Sequence, residues 1–279
     1  MMSNYLGTID NSISEKQFQE ISSLVKKIAG INLHNGKREL VKARLSKRTR
    51  ELKLHNLQEY INFVKHDKSG SEIIKMLDAL STNLTYFFRE SQHFDFMCNN
   101  VLPGIISKGK RKLRIWSAGC SSGEEPYTIG MLLNETIPNL HNWDAKILAT
   151  DLSTKVLRIA SVGQYSAERF RETPKYLINQ YFNKISSAGK PTFKVKPSVR
   201  NLISFARLNL MENWPMQGPM DMIFCRNVMI YFDKQTQAEL LSRFYKLLAP
   251  GGFLFLGHSE SLTGGGHNFR YCQPATYIK

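Results

Sequence analysis

The chain has 279 residues, 42 % of them hydrophobic, which suffices for a real core in one large or two modest domains. No apolar run approaches the roughly 20 residues that span a bilayer, and the opening MMSNYLGTIDNS lacks the basic-then-apolar pattern of a signal peptide, so a cytoplasmic protein without membrane insertion is expected. Lysine and arginine number 38 against 23 acids, a net charge of +15 that implies an acidic partner without choosing its class.

Residues 1–80 read as a small helical domain. Ser14 and Gln17 form a capping-box pattern, and Phe18, Ile21, Val25 and Ile28 follow at helical spacing. A second helix is predicted from Lys37 to Lys53, a third from Leu57 to Val64, and a fourth after Ser71 carrying Ile73, Leu77 and Leu80. The second helix holds Lys37, Arg38, Lys42, Arg44, Lys47, Arg48, Arg50 and Lys53 against only Glu39 and Glu51. That pattern suits a docking face for an acidic surface, and it equally suits a solvated helix face.

Residues 81–95, opening with STNLTYFFRE, read as a linker that is also a site element. Linkers are usually more polar and less aromatic, and Asn83, Thr85 and Arg89 can share one face of a turn. The main domain, 96–279, alternates strands and helices, which argues for a mostly parallel sheet. Strands are predicted at Lys112–Trp116, Lys146–Thr150, Leu202–Ala206, Met220–Cys225 and Phe253–Gly257, with a last strand at Cys272–Ile278. A helix from Lys234 to Leu248 leads into the turn Pro250-Gly251-Gly252. The segment 181–205 breaks the alternation and reads as a small β insert, with Gly189 and Pro191 suited to a hairpin turn.

IWSAGCSSGEEPY, residues 115–127, is the most informative run. A strand breaks into small residues and enters a helix whose first turn carries Glu124, Glu125 and Pro126. Such a turn lets a ligand approach the backbone, but two carboxylates there repel a pyrophosphate. S-adenosylmethionine (SAM), with its ribose, amino group and sulfonium, fits better. The alternative is that Gly119 and Gly123 only permit close helix–strand packing while the acids answer the helix dipole. Asp151 ends the second strand, where it either accepts ribose hydroxyls or caps the next helix. Arg226 and Asn227 follow the Met220–Cys225 strand, with Tyr231 near the same mouth.

Other chemistries lack their motifs. The scattered Cys98, Cys120, Cys225 and Cys272 form no C-x-x-C pair, so no metal site is indicated. No Walker loop, H-E-x-x-H or G-x-S-x-G elbow occurs, and GHSES does not match the elbow. The basic charge would suit a nucleic-acid methyltransferase as the runner-up, but Arg226-Asn227-Val228-Met229 lacks the prolines of the base-amine enzymes, and no nucleic-acid substrate is expected.

STNLTYFFRE, IWSAGCSSGEEPY, ILATDLS, the Asn209-Leu210 pair, FCRNVMIYFD and LAPGGFLFLGHSESL, in that order, resemble the chemotaxis receptor methyltransferases of the CheR family. The resemblance implies a Rossmann-like SAM-dependent methyltransferase α/β sheet, a small helical N-terminal domain and a small antiparallel β-subdomain. It implies transfer of methyl from SAM to chemoreceptor glutamates, giving methyl esters and the product S-adenosylhomocysteine. Carried over by motif, Asn83, Thr85, Arg89, Glu124, Asp151, Asn209, Leu210, Arg226 and Asn227 form the SAM-contacting set, and Arg89 and Tyr231 lie near the transferred methyl. The implied partners are cytoplasmic domains of chemoreceptors and, through the β-subdomain, a receptor C-terminal peptide. A glutamate is ionised at neutral pH, so the lack of an obvious general base is expected.

Overall fold

The computed structural model describes residues 13–81, 83–187, 190–262 and 267–279. The chain forms two compact units, the first ending at Ser81. That unit contains α1 (Glu15–Ala29), α2 (Arg38–Glu51), α3 (Leu57–His66) and α4 (Ser71–Leu80). The capping box forms in full: the Ser14 hydroxyl accepts from Gln17 N–H at 3.2 Å, and the Gln17 side chain accepts from Ser14 N–H at 3.0 Å. Phe18, Ile21, Val25, Val41, Leu45, Tyr60, Ile61, Met76 and Leu77 build the core.

The basic helix is not uniformly a surface face. Arg48 grips the buried Glu72 with two bonds of 2.7 and 2.8 Å, and Tyr60 donates to the same carboxylate at 3.2 Å. Arg44 donates to the main-chain oxygens of Leu80 and Ser81, closing α4, and Arg38 donates to that of Ile13. Lys47, Arg50 and Lys53 are the basic side chains of this helix region that stand exposed.

The second unit begins with α5 (Gln92–Phe96), a π-turn (Met97–Val101) and α6 (Leu102–Ser107). There follow β1 (Lys112–Ala118), α7 (Glu124–Thr136), β2 (Asp144–Asp151), α8 (Thr154–Val162), β3 (Gln164–Ser166) and α9 (Lys175–Tyr181). Next come β4 (Phe182–Ser187), β5 (Lys190–Val195), α10 (Pro197–Arg200), β6 (Ile203–Arg207), β7 (Met220–Cys225), α11 (Lys234–Leu247), β8 (Leu248–Leu256), β9 (Arg270–Gln273) and β10 (Thr276–Ile278). The large sheet has the order β6-β2-β1-β7-β8-β10-β9. Neighbours from β6 through β8 are parallel, and the β10 pairings are antiparallel. No helix among the described residues is long and apolar enough to cross a membrane.

Two expectations change at the C-terminus. The last strand is a hairpin, β9 and β10, because the chain turns at Pro274-Ala275. The Pro250-Gly251-Gly252 turn lies within the span of β8, where a register shift against β7 absorbs it.

The small sheet has the order β3-β5-β4. It therefore recruits β3 from before the predicted 181–205 insert, while residues 203–205 belong to β6 of the large sheet. β4 and β5 pair antiparallel out to Ser187 and Lys190, and the predicted turn glycine at 189 lies outside the described residues. Phe87 stacks on Phe170 at 4.7 Å and meets Phe182 and Tyr165 edge-on, so the segment before α5 is nailed to the small sheet by aromatic packing.

Candidate active site

Parallel α/β sheets bind ligands beyond the carboxyl ends of their strands, where the strand order reverses. That point lies between β1 and β7, since the chain leaves β1 for β2 and β6 and then returns to the other flank of β1. The register sets Ala118 beside Thr150, Asp151 beside Arg207, and Cys225 beside Leu256. The segments after β1, β2, β6, β7 and β8 thus open at one edge. Among the described non-glycine residues with positive φ, Ser121 and Asn227 lie in these segments, and Phe88 and Glu90 in the segment bonded to them. Such conformations cost about 1–3 kcal/mol each and persist where surrounding structure holds them.

The turn after β1 is made by glycines. Gly119 and Gly123 have φ of 90° and 97°. A Cβ on Gly119 would stand 2.4 Å from Val228 Cγ2, and one on Gly123 would stand 2.8 Å from the Ala160 Cβ. Gly123 therefore serves helix packing, while Gly119 lets the loops after β1 and β7 touch. Ser121 donates its N–H to Asp151 Oδ2 at 2.8 Å and its hydroxyl to the main-chain oxygen of Asn83 at 3.2 Å. Asp151 Oδ1 accepts from the N–H of Ser153, the N-cap of α8, at 2.9 Å. Asp151 is not itself the cap of α8, since the Ser153 hydroxyl accepts from Val156 N–H at 3.4 Å; it holds that cap residue in place and ties two site loops together.

Glu124 is fully buried. Its Oε2 accepts from the Ser122 hydroxyl at 2.7 Å, and Oε1 lies 3.2 Å from Arg169 Nη1, an ion-pair contact rather than an aligned hydrogen bond. Burial raises its carboxyl pKa, with Ser122 and Arg169 opposing. The same Arg169 Nη1 donates to the Thr85 main-chain oxygen at 2.7 Å, and the Arg169 carbonyl accepts from Phe87 N–H. Arg89 is half-buried and folds back onto the Leu84 carbonyl at 2.8 Å.

Arg226 is buried between two carboxylates, Glu125 at 3.1 Å and Glu90 at 3.2 Å, and it also donates to the Arg89 carbonyl. Glu125 accepts from Ser117 at 2.6 Å, and Glu90 from the Asn227 amide at 3.1 Å. Burial pushes the Glu90 carboxyl up, but the Arg226 charge and the Asn227 bond outweigh it and leave its pKa lowered. Glu90, His93 and His258 bring potential ligand atoms within 4.8 Å of one another. Arg226 already supplies the positive charge there; burial and that charge lower the pKa of His93 to about 3. Asn209 and Leu210 are buried just past β6, and Tyr231 is half-buried after β7.

Family models match both units: the CheR methyltransferase all-alpha domain over residues 16–81, and the CheR methyltransferase SAM binding domain over residues 83–278. The chain belongs to the CheR methyltransferase family. The chemotaxis protein methyltransferase of Borreliella burgdorferi is 42 % identical over 96 % of this chain and 95 % of its own length. That of Escherichia coli is 38 % identical over 90 % of this chain and 86 % of its own, and a probable one from Rhizobium etli is 41 % identical over 85 % and 89 %.

A CheR methyltransferase uses SAM, and the residues present suit it. A buried carboxylate with one oxygen lacking an aligned donor, Glu124, fits a cationic or hydroxyl-bearing ligand and disfavours an anionic one. The bonds above join Asn83 to Asp151 through Ser121, Thr85 to Glu124 through Arg169, and Arg89 to Asn227 through Arg226 and Glu90, with Asn83, Thr85 and Arg89 held in them by their main-chain oxygens, while Asn209, Leu210 and Tyr231 come to the same edge through β6 and β7. Sequence reading missed the connecting residues of this CheR site. Ser121, Glu90 and Glu125 stood inside the quoted motifs with no partner suggested. Arg169 stood in no motif, so nothing in the pattern marked it.

Proposed function

We propose that Asn83, Thr85, Glu124, Asp151, Asn209, Leu210 and Asn227 hold SAM at the β1–β7 switch point, with Arg89 and Tyr231 at the transferred methyl. The chain transfers methyl from SAM to glutamate side chains of chemoreceptors, making methyl esters for chemotactic adaptation. The observation that carries the reading is the CheR SAM binding domain match over residues 83–278, which contains the bonded clusters Asn83–Ser121–Asp151, Thr85–Arg169–Glu124 and Arg89–Arg226–Glu90–Asn227. Bound SAM supplies an electrophilic methyl on a sulfonium. An ionised glutamate is already a nucleophile, so the protein's task is to align it and exclude water, which can contribute roughly 7–11 kcal/mol in favourable cases. Arg89 orients the carboxylate or the methionine part. A clamp that bound the ground state too tightly would slow transfer. Arg226 belongs to this reading through the Glu90 and Asn227 contacts that shape the loop.

The enzyme acts in the cytoplasm on the cytoplasmic domains of chemoreceptors. The outer edge of β4 in the small sheet suits strand addition by a receptor C-terminal peptide. Incubation with radiolabelled SAM and chemoreceptor membranes should give base-labile label on the receptor. Arg89→Ala should keep a near-normal melting temperature and lose most of this transfer, and Tyr231→Phe should separate ring packing from the hydroxyl. Full activity in both variants removes these residues from the methyl site.

The exposed part of the basic helix is the receptor-docking face. Methylated helices carry glutamates, so their surface is acidic. Single exposed pairs contribute about 0–1 kcal/mol, so reversing Lys47, Arg50 and Lys53 to Glu together should raise the receptor KM roughly tenfold without changing SAM affinity. Added salt should do the same to the wild type, because charges are screened over roughly 8–10 Å. A KM indifferent to both would leave the helix a solvated face. Arg44 and Arg48 are unsuitable for this test, since their substitution would strip α4 of its cap and Glu72 of its partner.

A further inference from the structure

The β7 and β8 strands run parallel and end together, with Cys225 paired to Leu256 as the last rung. Beyond that rung the ladder stops, because Asn227 turns into the left-handed region at φ 58°. The N–H groups that follow would have no strand carbonyl to meet. One carboxylate takes them instead. Glu260 Oε2 accepts from Gly257 N–H at 2.6 Å and from Asn227 N–H at 2.8 Å, while Oε1 accepts from Ile230 N–H at 3.1 Å. The Glu260 N–H in turn donates to the Gly257 carbonyl at 2.8 Å, closing a four-residue turn that aims the side chain back at β7. Glu260 is 7 % exposed, so these bonds form away from water, where charge-assisted bonds are strong. Gly257 leaves no slack: a Cβ there would lie 2.6 Å from Asn227 Nδ2 and 2.8 Å from Glu260 Oε2.

We propose that Glu260 is a positioning residue for methyl transfer: its buried carboxylate bridges the ends of β7 and β8 and fixes the loop that presents Asn227 and Tyr231. GHSES therefore works through its glutamate, not through the serine–histidine pair. The inference rests on the reading that Asn227 and Tyr231 face SAM and the transferred methyl. An alanine in place of Glu260 leaves the N–H groups of Gly257, Asn227 and Ile230 without this acceptor. A glutamine keeps one acceptor oxygen but sets an NH2 against an N–H.

The test is steady-state methylation of chemoreceptor membranes by the full chain, with hydrogen exchange over residues 226–231. Misplacement by about 1 Å can cost about 10²-fold in rate, so Glu260→Gln should lower kcat roughly 10- to 100-fold, with receptor KM within about twofold. Exchange should quicken in 226–231 while the β1 and β2 amides stay protected. Glu260→Ala should be worse than Gln in the same direction. Gly257→Ala, which crowds the same clamp from β8, should reproduce the kcat loss. Normal kcat in folded Glu260→Gln and Gly257→Ala overturns the proposal. So does loss of the fold in both, which would make Glu260 a residue of stability alone. Asn227→Ala and Tyr231→Phe separate the two levels: if they are impaired and the Glu260 variants are not, only the Glu260 assignment fails. If they too are normal, the reading of the loop fails with it.

Discussion

Arg226→Ala should destabilise the large domain by about 3–5 kcal/mol, because truncating one member of a buried ion pair strands the others. The guanidinium is 3 % exposed, and the Glu90 and Glu125 side chains are each 14 % exposed. Arg226→Met keeps most of the volume and should be nearly as damaging; if methionine restores stability, the loss was packing. The pH dependence has a definite sign. Glu90 has a folded pKa below its ordinary value, so its contribution is present above about 4.3 and is lost as pH falls through the lower folded value. Without Arg226 that contribution is gone. Burial holds the Glu125 carboxyl above its ordinary value even beside Arg226, so it gives up its charge first as pH falls; the penalty of the substitution should therefore be largest near neutrality and shrink as pH drops through the carboxylate range. All three tryptophans, Trp116, Trp143 and Trp214, lie in the large domain, so denaturant unfolding followed by their fluorescence reads this domain alone. A penalty below about 1 kcal/mol at neutral pH would mean that the network is dispensable.

Much of the architecture was legible because periodicity and caps act locally. The Ser14–Gln17 box, the β7 boundaries and the order of strands and helices follow from a few neighbouring residues. The misreadings involve partners distant in sequence. Pro250-Gly251-Gly252 reads as a turn, but pairing with β7 carries it inside β8 as a register shift. The β insert reads as starting at residue 181, whereas β5 also pairs with Gln164–Ser166, far ahead of it in the chain, and makes that stretch a strand of the same sheet.

The site divides the same way. Residue type and strand-end position pointed to Asp151, Arg226 and Asn227, since the carboxyl edge of a parallel sheet is fixed by topology. Their bonding was not legible. Arg226 looks like a ligand-facing cation in FCRN, yet its partners Glu90 and Glu125 come from two other segments. The α2 arginines follow the same logic. A basic run suggests a surface, but Arg48 is spoken for by Glu72, 24 residues away. Arg169 joins Glu124 to the Thr85 backbone from a stretch with no pattern of its own. Charge pairing across the fold leaves no mark at short spacing.

Asp151→Ala should weaken SAM by about 2–4 kcal/mol, roughly 30- to 1,000-fold, given about 1.5–3 kcal/mol for a hydrogen bond to a charged group. The structure adds a second way for this loss to arise. Asp151 already accepts from Ser121 and Ser153 N–H groups, so its removal both deletes an acceptor for the ribose and frees the turn after β1. The two causes separate with S-adenosylhomocysteine analogues lacking a ribose hydroxyl, titrated calorimetrically against wild type and variant. If the carboxylate touches the ribose, the wild type should lose affinity for the deoxy analogue while Asp151→Ala, already missing the partner, binds parent and analogue alike. A variant that still prefers the parent by the wild-type margin would show that Asp151 acts only by holding Ser121 and the helix start. Unchanged affinity for the parent would remove Asp151 from the cofactor site altogether. The carboxylate would then belong to the loops, and the ribose would be read from elsewhere along the β1–β7 edge.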